Sequence, residues 1–180
     1  MSFNMINNSS ILSSFETVKE IQQQCVNKGK QLVVYISMGF GNPYGDPYDE
    51  SIVFEWANKL VDAGIRILSL ADTVGVAQPE QIYQVTRHLI ESLPAIEVGV
   101  HLHSTPFNRN DKIKAALDAG CYRFDAAIHG IGGCPMAGDQ LVGNIDTEGL
   151  IEFLDAQQYA LELNRDAFRD SLRAATNVFV

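Results

Sequence analysis

The sequence predicts a parallel α/β fold of the (β/α)8 or TIM-barrel type, of which this chain carries about four βα units. Short apolar runs alternate with stretches of helical apolar spacing, which is typical of a parallel sheet with right-handed crossovers. Polar residues follow the runs as at a barrel's active-site rim, namely Asp72, His101, His103, Asp125 and the loop up to Asn144. An open doubly wound sheet is the alternative, and it would need a strand-order reversal to form its ligand crevice.

Four strands are expected, each a short apolar run fit for burial on both faces of a sheet. They cover residues 31–36, 65–70, 96–102 and 121–127. The tripeptide Asp-Ala-Gly precedes the second and the fourth strand, at 62–64 and 118–120. This weak repeat marks a helix end that turns into the next strand.

Helices are expected around these strands, where a capping residue precedes an apolar stripe. The first follows Ser9 or Ser10 and stops at Gly29, and Pro79 fits the first turn of the third. The remaining spans are 49–64, 79–93, 111–119, 147–163 with Thr147 as its cap, and 165–175.

Composition is that of an ordinary globular protein, with 46% hydrophobic and 19% charged residues among 180. The net charge of −9 argues against nucleic acid or an anionic membrane as a partner. No apolar run approaches the roughly 18–20 residues of a membrane span, and residues 1–10 lack the pattern of a targeting peptide. Three scattered cysteines make no disulfide framework, so we expect a cytoplasmic protein.

His101 and His103 end the third predicted strand and lie two residues apart. Side chains alternate between the faces of a strand, so both imidazoles should share one face, with Leu102 on the other. Two imidazoles on one face make half of a metal site. For an isolated His-x-His motif, a pair of structural histidines would be the preferred interpretation.

Four stretches together resemble a known family. They are residues 69–75 (SLADTVG), 101–105 (HLHST), 130–137 (GIGGCPMA) and 143–148 (GNIDTE). In this order the chain resembles bacterial hydroxymethylglutaryl-CoA (HMG-CoA) lyase, in the TIM-barrel metallolyase superfamily that includes isopropylmalate and homocitrate synthases. The resemblance extends over essentially the whole chain, including GNPYG at 41–45. The synthases share the His-x-His strand but lack the Gly-Gly-Cys-Pro loop, which favours the lyase branch.

The resemblance implies a carbon–carbon lyase that cleaves 3-hydroxy-3-methylglutaryl-CoA to acetyl-CoA and acetoacetate by a retro-Claisen reaction. It implies Mg²⁺ or Mn²⁺ bound by two histidines, an asparagine and an aspartate, of which His101, His103 and Asn144 match the motif. It also implies a catalytic cysteine in a mobile Gly-rich loop, matched by Cys134. Mixed nitrogen and oxygen ligands suit a hard octahedral ion better than tetrahedral zinc.

Each candidate has a predicted role and an alternative. His101 is expected to shuttle the hydroxyl proton, and Cys134 to protonate the enolate as its loop closes, unless it is an inert thiol. Asn144 fits a metal ligand by resemblance, or a turn residue. Asp72 is predicted to be a catalytic or orienting carboxylate, or else to hydrogen-bond loop backbone. His88 and His129 are interpreted as structural or solvent-facing, and Cys25 and Cys121 as packing residues.

Two features depart from the family pattern. Ser104 stands where many members have aspartate, which removes a possible outer carboxylate but no ligand. The family's first strand supplies an Asp-Arg pair that completes the metal shell and polarises the thioester, and no such strand precedes Ile11. We therefore expect a single partial domain over residues 1–180, the C-terminal half of a pyruvate carboxyltransferase/HMG-CoA lyase-like domain. Alone it should bind metal weakly and show no useful lyase activity.

The expected partners are an acyl-CoA substrate and further copies of the chain, with the exposed half-barrel edges paired to each other. Neither nucleic acid nor a membrane is expected as a partner. A related aldol-type lyase or acyl-CoA condensing synthase of the superfamily is the enzymatic alternative. The other alternative is a non-catalytic oligomerising half-barrel, which would form a stable dimer without any dependence on metal.

Overall fold

The computed structural model describes residues 10–42, 44–132 and 142–178. Its strands are β1 (Val33–Ile36), β2 (Ile67–Ala71), β3 (Glu97–His101) and β4 (Arg123–Asp125). Its helices are α1 (Ile11–Asn27), α2 (Glu50–Asp62), α3 (Pro79–Ser92), α4 (Arg109–Asp118), α5 (Thr147–Ala156) and α6 (Arg165–Val178). A 3₁₀ turn, Ile128–Gly130, follows β4. The predicted alternation of strands and helices is confirmed.

The strands pair in chain order, β1-β2-β3-β4, and each pair is parallel. In one row across the sheet, Tyr35 pairs with Ser69, Ser69 with Gly99, and Gly99 with Arg123. A doubly wound sheet reverses its strand order, and the described strands show no reversal. The order therefore rules out the doubly wound alternative and confirms the predicted segment of a (β/α)8 barrel.

The two faces of the sheet differ in chemistry because successive side chains alternate along a strand. Leu68, Leu70, Val98 and Val100 belong to one buried cluster with apolar residues of α2, α3 and α4. The opposite face is polar and carries Tyr35, Ser69, His101, Arg123 and Asp125. The apolar core thus lies under the helices, and the polar face is the one that a barrel would enclose.

Capping residues explain most helix starts. The hydroxyl of Ser10 accepts a hydrogen bond from the backbone N–H of Ser13 at 3.1 Å, which begins α1. The carboxylate of Asp49 accepts from Ser51 N–H at 2.8 Å before α2. Pro79 is the first residue of α3. These three predicted starts are confirmed.

The helix predicted over 147–163 begins at residue 147, but its predicted cap and its predicted end are wrong. Asp146, and not Thr147, is the N-cap of α5, and its carboxylate accepts from the backbone N–H of Gly149 at 2.8 Å. The helix ends at residue 156. Gln158 adopts a left-handed φ of 65°, which turns the chain out of the helix without the glycine or proline that usually signals a stop.

Both outer strands have an open edge, since neither β1 nor β4 has a second neighbour within the described residues. Exposed apolar side chains lie on the segments that precede these strands in the chain. Leu12 and Val26 on α1 are 68% and 59% exposed, and Tyr122, just before β4, is 73% exposed. A cavity of about 290 Å³ lies between α1, β1 and α2, with Phe15 and Trp56 in its wall.

No helix within the described ranges combines the length and the apolar character that crossing a membrane requires.

Candidate functional site

The two histidines of the His-x-His motif lie together at the carboxyl end of β3. Their ring centroids are 5.3 Å apart and their planes meet at 81°. His101 is half-buried and His103 is 3% exposed. Leu102 belongs to the core cluster on the other face of the sheet. The predicted shared face of His101 and His103 is confirmed.

The hydrogen bond of His103 fixes its tautomer. Its Nδ1 lies 2.8 Å from the carbonyl oxygen of Val142, and a carbonyl only accepts hydrogen bonds. Nδ1 therefore carries a proton, and in the neutral imidazole Nε2 holds the lone pair. Metal-binding histidines are usually oriented by such a bond from the other ring nitrogen. The geometry thus prepares His103 Nε2 as a ligand atom.

Asn144 lies beside His103, with which it forms an isolated antiparallel bridge. Its side-chain amide donates to the carbonyls of Ile131 and Gly132, at 3.0 and 3.1 Å. Both amide hydrogens are thereby used, so Oδ1 is the atom left for a ligand. These backbone contacts also satisfy the turn interpretation. The metal role of Asn144 remains a prediction.

The predicted donor set matches part of the coordination shell of the predicted ion. Imidazole nitrogens of His101 and His103 and the amide oxygen of Asn144 fit three positions of a hard octahedral ion. Across residues 10–42, 44–132 and 142–178, no group of three or more His, Cys, Asp or Glu side chains is placed to hold a metal. Of the three predicted ligands, only His101 and His103 belong to these residue types, because Asn144 is an amide. The described residues therefore supply three ligands of a six-coordinate shell, and the other positions are left to other ligands.

Burial and charge favour the neutral form of His101. Its pKa is lowered mainly by burial and next by the adjacent charge of His103, against the opposing effect of Asp125 and Asp72. A neutral imidazole can bind a metal or accept a proton at physiological pH.

A second polar group on the same face was missed by sequence reasoning. The phenol of Tyr35 donates to Asp125 Oδ2 at 3.0 Å, and the hydroxyl of Ser69 donates to the same oxygen at 3.2 Å. The Tyr35 ring lies edge-on to His101, with centroids 6.0 Å apart. Burial and the bond to Asp125 raise the pKa of Tyr35, so the phenol stays protonated. The period-two alternation of β1 and β2 could have placed Tyr35 and Ser69 on this face.

Asp72 forms a buried ion pair that the sequence did not suggest. Lys112 Nζ lies 2.8 Å from Asp72 Oδ2, and these side chains are 1% and 0% exposed. The other carboxylate oxygen accepts from the backbone N–H of Ala77 at 3.0 Å. Asp72 therefore accepts a hydrogen bond from loop backbone, which is one of its two predicted roles. Its catalytic role remains a prediction.

The predicted acid Cys134 lies outside the described residues, so its role remains a prediction. Among the other cysteines, Cys121 is fully buried in the core, and burial raises the pKa of its thiol to about 11. Its interpretation as a packing residue is confirmed. His88 stacks on Phe54 with ring centroids 3.9 Å apart, which agrees with a structural part.

Gly130 packs closely against the backbone of Asn144. It adopts a left-handed φ of 62°, and a Cβ there would lie 2.9 Å from the backbone oxygen of Asn144. Gly130→Ala is expected to lower the free energy of unfolding by about 2–3 kcal/mol, from the left-handed backbone and the contact together. Equilibrium unfolding in urea measures the loss.

Gly29→Ala is the matched control for Gly130→Ala. Gly29 has a φ of 61° but no atom within 4 Å of the added carbon, so only the backbone cost of about 1 kcal/mol applies. Equal losses in the two variants would contradict a tight approach of residue 130 to Asn144.

His129 joins the 3₁₀ turn to α5 and α6. Its Nδ1 lies 2.6 Å from Glu148 Oε1, and its Nε2 lies 3.2 Å from the carbonyl oxygen of Leu172. Both partners are acceptors, so the doubly protonated imidazolium satisfies them best. The Leu172 carbonyl first, and then Glu148, raise the pKa of His129. Its structural interpretation is confirmed.

The docking of α6 should therefore depend on pH. The raised pKa of His129 stabilises the fold fully below its ordinary value of 6.5, and this contribution is lost as pH rises through the raised value. Amide hydrogen exchange in α6, corrected for its intrinsic pH dependence, is expected to speed up over that rise. His129→Gln should remove the effect and His88→Gln should keep it. Exchange that stays pH-independent in the unaltered chain would refute the dependence of α6 docking on His129.

A family model described as HMGL-like matches residues 2–175. (R)-citramalyl-CoA lyase of Chloroflexus aurantiacus is 37% identical over 122 residues, which are 68% of this chain and 38% of that protein. Hydroxymethylglutaryl-CoA lyase YngG of Bacillus subtilis is 31% identical over 148 residues, which are 82% of this chain and 49% of that protein. The chain spans about half the length of the curated relatives it matches.

Solved structures of similar proteins agree with the fold. HMG-CoA lyase from Brucella melitensis superposes with a TM-score of 0.87 at 27% identity, over 97% of this chain and 62% of that chain. An HMG-CoA lyase from Acinetobacter baumannii, in complex with coenzyme A and 3-methylmalate, has a TM-score of 0.82 at 30% identity. That match covers 93% of this chain and 54% of the lyase chain.

Proposed function

Because this chain belongs to the HMGL-like family, we propose that it carries part of a divalent-metal-dependent carbon–carbon lyase that acts on 3-hydroxy-3-methylglutaryl-CoA. The arrangement of His101, His103 and Asn144 carries the proposal. His103 presents a free Nε2 because the Val142 carbonyl holds its Nδ1–H, and Asn144 is paired to the same residue. The family and this prepared ligand set support Mg²⁺ or Mn²⁺ as the cofactor.

In the proposed reaction, the substrate's tertiary hydroxyl loses its proton as the adjacent carbon–carbon bond breaks. The bound cation would supply Lewis-acid polarisation of the substrate oxygens. His101 is the proposed base, because its lowered pKa favours the neutral imidazole, whose single lone pair can accept this proton while it is not bound to the cation. Tyr35 and Ser69 hold the Asp125 carboxylate on the same face. Cys134 is the proposed acid that protonates the departing enolate.

Citramalyl-CoA is the second candidate substrate, because the relative from Chloroflexus aurantiacus has the higher identity of the two reported lyases. Calorimetric titration of the chain with each thioester, with and without Mg²⁺, distinguishes them. We expect Mg²⁺-dependent binding of HMG-CoA that exceeds binding of citramalyl-CoA. Stronger binding of citramalyl-CoA would select the second substrate, and Mg²⁺-independent binding of both would contradict the metal site.

Turnover is tested separately with HMG-CoA and Mg²⁺. We expect no useful cleavage by the 180-residue chain alone, because the family's Asp-Arg pair has no counterpart in its sequence. Robust turnover would show that these two residues are dispensable, and would contradict the partial-barrel prediction.

A second copy of the chain is the proposed partner. Two sets of four parallel strands supply the eight of a closed barrel, and closure removes the open edges of β1 and β4. Leu12 and Val26 on α1 and Tyr122 directly before β4 are exposed apolar side chains that such an interface would cover. Sedimentation equilibrium should give a dimer that Val26→Lys weakens and Tyr83→Lys on α3 does not. A monomer at all concentrations would refute this association.

A further inference from the structure

We infer that Lys112 is the positioning residue of the proposed metal site, and that it holds the carboxyl end of β3 against the turn that begins at Asp72. This inference rests on the proposed function, because the ligand whose position it concerns is His103. Lys112 itself contacts neither a ligand side-chain atom nor the polar group around Asp125 in the described contacts.

Every hydrogen of the Lys112 ammonium has an acceptor. Nζ lies 2.7 Å from the carbonyl oxygen of His103, 2.8 Å from Asp72 Oδ2 and 3.3 Å from the carbonyl oxygen of Gly75. An ammonium group has three hydrogens and no acceptor, so this set is complete. The three bonds tie α4 to the segment after β2 and to the segment after β3.

Lys112 holds the backbone of His103, and a different contact holds the ring of the same residue. The carbonyl of His103 accepts from Lys112, while its ring donates to Val142. The next residue, Ser104, donates its backbone N–H to the carbonyl of Gly143 at 3.0 Å, directly before Asn144. A shift of Lys112 would therefore move the backbone of His103 and, through the bond between Ser104 and Gly143, the segment that carries Asn144. Loss of an outer partner of a metal ligand typically weakens metal binding about 10–100-fold.

A role in charge pairing alone makes a different prediction from a positioning role. A buried ion pair can often be replaced by neutral side chains without loss of stability, whereas removal of one partner is strongly destabilising. Asp72→Asn with Lys112→Met removes both charges together, and asparagine retains an oxygen for the Ala77 N–H. The donors to the His103 carbonyl and, more weakly, to the Gly75 carbonyl are then missing. The double variant therefore separates stability from ligand position.

The experiment measures Mn²⁺ affinity by electron paramagnetic resonance at a temperature where circular dichroism shows each variant folded. Lys112→Met is expected to lower both the Tm and the Mn²⁺ affinity, the latter about 10–100-fold. The double variant should regain Tm while its affinity stays low. Leu89→Ala, in the core on α3, is the control that lowers Tm and keeps the affinity.

Two results would overturn the inference. They are wild-type affinity in Lys112→Met, or recovery of both Tm and affinity in the double variant. An unaltered chain that binds no Mn²⁺ would instead contradict the proposed function, and ¹H–¹⁵N spectra of the imidazoles then decide the part of Lys112. Loss of the Nδ1–H tautomer of His103 in the double variant supports positioning, and its retention refutes it.

Discussion

Asp72→Ala is expected to lower the free energy of unfolding by about 3–5 kcal/mol, because it leaves an uncompensated buried charge. The ammonium of Lys112 is 1% exposed and would lose its only carboxylate partner in the described contacts. The backbone N–H of Ala77 would lose its acceptor as well. Water cannot easily replace either bond in a region this closely packed.

Equilibrium unfolding in urea at pH 7 measures this loss, and Glu97→Ala is its control. Glu97 pairs with Arg123 at 3.2 Å, but the carboxylate side chain is 52% exposed. An ion pair at that exposure contributes about 0–1 kcal/mol. A comparable loss in the two variants would mean that burial of the Asp72–Lys112 pair has little energetic weight.

His103→Ala is expected to weaken Mn²⁺ binding by more than about 100-fold, beyond the range for loss of an outer partner. The variant removes the nitrogen that the Val142 carbonyl orients and frees that carbonyl from its donor. The bridge from residue 103 to Asn144 is a backbone pairing and does not depend on the imidazole. The effect should therefore report the loss of one ligand.

Mn²⁺ titration followed by electron paramagnetic resonance gives the affinity. His88→Ala is the control, because His88 stacks on Phe54 and lies on α3 away from the carboxyl end of β3. It should leave the affinity unchanged. Equal weakening in the two variants, or none in either, would place the metal elsewhere.

Local periodicity was sufficient to predict the parts of the fold that depend on neighbouring residues. The strand period of two placed His101 and His103 on one face, and capping residues placed the starts of α1 and α2. The same reasoning extended α5 too far. Gln158 ends the helical path with a left-handed φ, and glutamine is not a residue type that predicts this conformation.

Contacts between distant segments could not be predicted in this way. The partner of Asp72 lies 40 residues along the chain, and the partner of Tyr35 lies 90 residues along it. Neither Lys112 nor Tyr35 belongs to a motif with fixed spacing. The motif did predict that Asn144 and His103 lie together. Only the structure shows that the Asn144 amide donates both hydrogens to backbone carbonyls.

The consecutive strand order has a consequence for the order of folding. Each strand pairs with the one made just before it, so β1 and β2 can associate during synthesis before β3 and β4 have left the ribosome. The hydrogen bond from Tyr35 to Asp125 spans the whole sheet, so it forms only when the fourth strand has joined. Its appearance marks completion of the nascent sheet.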